Sequence, residues 1–86
     1  MKNKILVNVY AITINEYFDI FIPINTRVGD ALDLICSTIK GMTECNFPID
    51  QGLALLDSET GKFYNLDTAI NETGMKNGRK LILFNY

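Results

Sequence analysis

A single stretch, residues 25–41, has the hydrophobic period of a helix, and the segments on either side of it alternate like strands. Its apolar side chains recur at steps of four, three and four residues and form one stripe: Val28, Leu32, Ile35 and Ile39. Asn25 or Thr26 is expected to cap the start of this helix, and Gly41 to close its end. A lone amphipathic helix must bury its stripe against a sheet, so the chain is predicted to be α+β.

Two alternating segments before the helix predict an antiparallel hairpin. Residues 4–12 and 17–24 are rich in β-branched and aromatic side chains, which favour strands. One face of the hairpin is expected to be buried and to hold Ile5, Val7, Val9, Phe18, Ile20 and Ile22. Pro23 cannot donate to a strand ladder, so it should lie where the second strand ends.

The segments after the helix predict further strands. Residues 42–51 are expected to form a connection from which Phe47 and Ile49 fold back on the core. Residues 52–66 predict two short strands around a turn at Gly61, and residues 66–74 a short helical turn capped by Asp67 or Thr68. Asn77-Gly78 predicts a tight turn, and residues 80–86 a last strand.

The last strand is as apolar as the first, and this fixes the expected topology. Leu81 and Leu83 alternate with Ile82 and Phe84, so one pair faces the helix and the other faces away. We expect this strand to lie in the centre of the sheet, parallel to the first strand. The result is one β-grasp domain over residues 1–86, a mixed sheet of four to five strands on one helix, in the order ββαββ(short helix)β.

Three segments, PINTRVGDAL, LLDSETGK and GMKNGRKLIL, carry a resemblance to ubiquitin-like proteins. The nearest similarity is to the YukD/EsaB family, the small ubiquitin-like proteins of bacterial type VII (WXG-type) secretion systems. The resemblance implies a ubiquitin-like fold and a non-catalytic accessory or regulatory role in the cytoplasm, through contacts with secretion-system components.

The side-chain inventory argues against catalysis. The sequence has no histidine, and its two cysteines, Cys36 and Cys45, are not in a metal-binding or redox arrangement. We therefore expect no enzyme activity, cofactor or metal site. The net charge of −2 argues against nucleic-acid binding. The absence of a long apolar run argues against membrane insertion.

Ubiquitin and the sulfur carriers end in a flexible Gly-Gly, and this sequence contains no Gly-Gly. Conjugation is therefore not expected. Two alternatives stay open: a modifier or sulfur carrier with an atypical or truncated C-terminus, and a generic β-grasp interaction domain of another pathway.

The outer sheet face is the candidate binding site. The resemblance places Ile82 and Phe84 where ubiquitin most often docks its partners, and Leu6, Tyr10 and Leu56 are expected beside them. Tyr17 and Phe21 would extend this surface. The expected occupant is a protein partner, and a homodimer is one version of that prediction.

Overall fold

The hairpin, the helix and the last strand form where the sequence predicts them. A computed structural model describes residues 3–43 and 52–85. Its elements, in chain order, are β1 (Lys4–Ala11), β2 (Glu16–Pro23), α1 (Val28–Met42), β3 (Leu53–Asp57), a 3₁₀ turn (Ile70–Glu72) and β4 (Arg79–Asn85). Cys45, Phe47 and Ile49 lie outside the described residues.

Within the described residues, one sheet has the strand order β2-β1-β4-β3. β1 pairs antiparallel with β2, and β4 pairs antiparallel with β3. β1 and β4 run parallel in the centre, with Val9 opposite Leu81 and Ala11 opposite Leu83. The predicted β-grasp arrangement is confirmed, including the central position of the last strand.

The core lies between α1 and the inner face of the sheet. All four stripe residues of the helix are buried, as are Leu81 and Leu83 of β4. Val7 and Val9 of β1 are completely buried, so the alternation read from the sequence gives the correct face. The same alternation turns Ile82 and Phe84 away from the helix.

The predicted helix caps are wrong at both ends of α1. Arg27 is the N-cap residue, and no side chain among the described residues caps the helix. Instead, the backbone N–H groups of Val28 and Gly29 donate to carbonyls of the 66–68 segment at 2.8 and 2.9 Å. Thr26 is occupied elsewhere, since its hydroxyl donates to the Pro23 carbonyl. Tertiary contacts thus replace the local cap.

Gly41 does not close the helix but lies inside it. The helix continues to Met42, and Thr43 is its C-cap, with both the backbone N–H and the hydroxyl donating to the Ile39 carbonyl. The helix therefore ends at Thr43, which has a φ of −102°, rather than at a left-handed glycine.

The predicted strand after Gly61 shrinks to one bridge, between Leu56 and Phe63. Gly61 does adopt a positive φ of 72°, as the turn prediction required. Four residues later the chain turns again, because the Asn65 side chain accepts the Asp67 N–H at 2.9 Å. Phe63 therefore contacts the edge of β3 through this single bridge and does not begin a further strand.

The short helical turn forms, but its predicted caps are wrong. Ala69 is the N-cap of the 3₁₀ turn, and neither Asp67 nor Thr68 supplies a side-chain cap bond. The tight turn at Asn77-Gly78 is confirmed: the Arg79 N–H donates to the Lys76 carbonyl, and Gly78 has a φ of 84°.

Candidate protein-binding face

The outer face of the sheet, opposite α1, carries a continuous row of apolar and aromatic residues. Strand register places Tyr17 opposite Tyr10, Tyr10 opposite Ile82, and Ile82 opposite Leu56. The bridge from Leu56 to Phe63 extends this line to the edge of the sheet. We call these five residues the apolar row: Tyr17, Tyr10, Ile82, Leu56 and Phe63.

The tyrosine end of the apolar row is held by a local contact. The rings of Tyr10 and Tyr17 meet edge to face, with centroids 4.6 Å apart. The Tyr10 hydroxyl donates to the Asn15 side chain at 2.6 Å, and Asn15 has the left-handed φ of 55° in the β1–β2 turn. Tyr10 is thereby oriented, whereas Tyr17 stays 63% exposed.

Phe84 adjoins the other end of the apolar row. It lies opposite Ala54 on β3, and its ring approaches Phe63 with centroids 6.5 Å apart at an angle of 68°. Phe84 is 36% exposed and Phe63 is 61% exposed, so the pair presents aromatic area to solvent. Aromatic rings of this kind supply large contact area when a partner binds.

A polar row runs beside the apolar row. Asn8 lies opposite Asp19 on one side and Lys80 on the other, and its side-chain amide donates to Asp19 at 3.0 Å. The Ser58 N–H donates to the Lys80 carbonyl and continues the line. We call Asp19, Asn8, Lys80 and Ser58 the polar row. Among the described residues Lys80 forms no ion pair.

The polar row divides the predicted site. Tyr10, Ile82 and Leu56 lie together in the apolar row and Phe84 adjoins them, but Leu6 lies beyond Asn8. There Leu6 faces exposed Phe21. The four neighbours therefore form one surface, and Leu6 belongs to a separate small cluster with Phe21.

An open depression of about 270 Å³ lies where the two rows meet. Polar side chains of Asn8, Ser58 and Lys80 line it together with the rings of Tyr10 and Tyr17 and with Ile82. Such a depression can receive an apolar side chain next to a polar or charged one.

Sequence reasoning missed Phe63, Lys80 and Asp19 as parts of this face. Phe63 joins this face through a single bridge to Leu56. The sequence pattern predicts a full strand there, so it does not indicate this one contact. The alternation Asp19/Phe21 and Lys80/Ile82 was a usable signal, because residues two apart on a strand share a face.

Two chemically active groups away from this face, Arg79 and Cys36, have structural explanations. Arg79 at the start of β4 pairs with Asp57 at 3.3 Å and with Glu59 at 3.6 Å, which ties β4 to the end of β3. Burial, with a smaller effect of Asp33, raises the pKa of the Cys36 thiol to about 11. A thiol with so high a pKa is a poor nucleophile at neutral pH.

Neither a metal-ligand cluster nor a membrane-spanning helix is found within residues 3–43 and 52–85. In that part of the chain, no group of three or more His, Cys, Asp and Glu residues could hold a metal ion. Nor is any helix in those two ranges long and apolar enough to cross a membrane.

Comparisons with known proteins find likeness in structure only. No family model matches the chain, and no curated protein matches its sequence. A chain of a toluene 4-monooxygenase HD complex with the inhibitor 4-bromobenzoate is similar with a TM-score of 0.79 at 8% identity, over 96% of this chain and 99% of that one. The ubiquitin of Caldiarchaeum subterraneum gives 0.72 at 17% identity, over 96% and 94%.

A third structural likeness is to a chain of an ESX-5 inner membrane complex. Its TM-score is 0.72 at 16% identity, and it covers 98% of this chain but only 21% of that one. Identities this low establish a shared fold and nothing finer.

Proposed function

We propose that this chain, which has the ubiquitin-like β-grasp fold, is a non-catalytic binding protein that docks partners on its outer sheet face. The observation that carries the proposal is the apolar row, which crosses all four described strands and extends to Phe63 on the solvent side of the sheet. A contiguous apolar surface bordered by polar residues is typical of protein interfaces.

The partner we propose is a component of a bacterial type VII secretion system, met in the cytoplasm. Two observations support it: the resemblance of three segments to the YukD/EsaB family, and the likeness of this fold to part of a chain in an ESX-5 inner membrane complex. The proposed role is accessory or regulatory, because the chain would act by binding and not by catalysis.

Docking would use Ile82 and Phe84 as anchors. Ile82 is half-buried in the middle of the apolar row and offers a firm base, and Phe84 offers an exposed ring beside Phe63. The polar row would fix orientation at the border. Interfaces of this kind draw most of their binding free energy from a few such residues.

The test is co-purification with Phe84→Asp, which places a charge on the docking face. Leu34→Asp is the matched control, because Leu34 is a similarly exposed apolar residue, 41% against 36%, on α1 at the opposite side of the molecule. We expect Phe84→Asp to lose a secretion-system component that the parent and Leu34→Asp both retain, with unchanged circular dichroism. Equal retention by all three would remove the outer face as the site.

One observation favours a second candidate, a β-grasp subunit of a different assembly. The likeness to a chain of a toluene 4-monooxygenase complex spans both chains almost completely. The same co-purification separates the two, since enzyme subunits would then be recovered in place of secretion components. Intact mass measurement from cells separates both from a modifier, which alone would carry a C-terminal adduct.

A further inference from the structure

The polar row carries an acid on one side of the sheet centre and a base on the other. Asp19 is on β2 and Lys80 is on β4, with Asn8 on β1 between them. The apolar row has the same kind of asymmetry, with tyrosines on β2 and β1 and aliphatic residues on β4 and β3. Each row thus has two unlike halves that meet between β1 and β4.

A twofold axis parallel to the strands, passing over the line between β1 and β4, would reverse each row onto itself. In two copies packed face to face, Tyr10 would lie over Ile82 of the second copy, and Tyr17 over Leu56 of the second copy. Apolar row would meet apolar row and polar row would meet polar row. An isologous contact requires this self-complementarity.

The charges select this axis over the alternative. With the axis along the strands, Asp19 lies one strand spacing from Lys80 of the second copy, so their backbones are about 11 Å apart across two packed sheets. Extended lysine and aspartate side chains span that distance. An axis across the strands would bring only one of the two rows onto itself. Placed over the polar row, it would set Asp19 against Asp19 and Lys80 against Lys80, which like-charge repulsion disfavours.

The available area indicates a weak contact. Four strands of about 17–26 Å at spacings of about 4.8 Å give a face of roughly 450 Å² per copy, below the roughly 800 Å² per partner of a standard interface. We expect association that depends on concentration rather than a permanent dimer.

We propose that the outer face pairs with the outer face of a second copy, with two Asp19–Lys80 ion pairs across the twofold axis. This inference rests on the proposed function in one respect: both use the same face. In the dimer both docking faces are covered, so self-association and partner binding exclude each other.

The test is sedimentation equilibrium of the full chain with reversed charges, from micromolar to millimolar concentration. The parent should approach twice the 9.7 kDa mass of one chain. Asp19→Lys alone and Lys80→Glu alone should each weaken association by about tenfold or more, because each places two like-charge pairs in the contact. An equimolar mixture of the two variants should restore it, because every pair across the heterodimer is then opposite in charge.

The matched controls change charge equally away from the face. Asp33→Lys on α1 and Lys76→Glu before β4 alter exposed residues and should leave association at the parent level. A parent that stays monomeric, reversals without effect, or a mixture that fails to associate would each overturn the inference. None of these results bears on whether Phe84→Asp loses its partner, so the two proposals fail separately.

Discussion

Adjacent residues of β4 should respond very differently to truncation, because they face opposite sides of the sheet. Leu83 is 1% exposed in the core, and Phe84 is 36% exposed on the outer face. The prediction is that Leu83→Ala destabilises the domain far more than Phe84→Ala, although phenylalanine loses more atoms.

The structure sets the magnitudes. Leu83 lies on the central strand with β1 and β3 on its two sides, so little can move in to fill the cavity. Truncation of a buried leucine costs about 2–5 kcal/mol, and we expect about 3 kcal/mol here. Phe84→Ala loses one partly covered ring and its contact with Phe63, for about 1 kcal/mol. A domain of this size has a total stability of roughly 4–13 kcal/mol.

The assay is urea unfolding followed by far-ultraviolet circular dichroism, since the sequence has no tryptophan for fluorescence. A loss of 3 kcal/mol also lowers Tm by roughly 12–24 °C in a small domain. Leu83→Asp should not fold at all, because it buries an unpaired charge.

The reasoning would be refuted if Phe84→Ala cost more than Leu83→Ala. It would also be refuted if Leu83→Ala cost less than about 1 kcal/mol, the level typical of ordinary surface and boundary changes. The first result would mean that β4 presents the opposite face to the helix, and the second that Leu83 is not tightly packed in the core.

Two further predictions concern single residues. Burial and Asp33 raise the pKa of Cys36 from 9.0 to about 11, so the stability that this thiol contributes is present below pH 9 and lost as pH rises through 11. The difference in unfolding free energy between the parent and Cys36→Ala should therefore shrink between pH 8 and pH 11, and a constant difference would contradict the raised pKa. Gly41 lies in the helix with open space at its Cβ position, so Gly41→Ala should stabilise by about 0.5 kcal/mol. Gly78, at a φ of 84°, should lose about 1 kcal/mol on the same change, and thermal melts that ranked the two in reverse order would contradict the backbone assignment.

The fold was predictable because two periods dominate the sequence. The stripe from Val28 to Ile39 and the alternation of Leu81 and Leu83 with Ile82 and Phe84 are set by burial, which the structure satisfies. An apolar final segment then belongs in the middle of the sheet, where both of its edges pair with neighbouring strands and its inner face packs on the helix.

The local ends of elements were less predictable, because distant backbone groups decide them. No local pattern shows that carbonyls of residues 66–68 satisfy the first N–H groups of α1, so a cap at Asn25 or Thr26 was the natural expectation. Gly29 is the one trace of this contact in the sequence. A Cβ there would approach the Leu66 carbonyl oxygen to 3.2 Å.

The candidate face was predictable by strand face but not by register. Alternation places Leu6, Tyr10, Ile82 and Phe84 on the outer side, and four of the five predicted residues do lie together. Asn8 separates Leu6 from Tyr10 on β1, and the register of β1 and β4 decides which of the two lies opposite Ile82. One sequence contains no signal for that register.

The central place of β4 has a consequence for the order of folding. β1 and β4 are neighbours in the sheet although about seventy residues separate them in the chain, and β3 reaches β1 only through β4. Until the last strand is inserted, the hairpin and the helix therefore leave one edge of β1 and part of their apolar surface exposed to solvent. Such a topology delays the rate-limiting step to a long loop closure, so we expect folding slower than in helical domains of equal length and greatest aggregation risk just before that insertion.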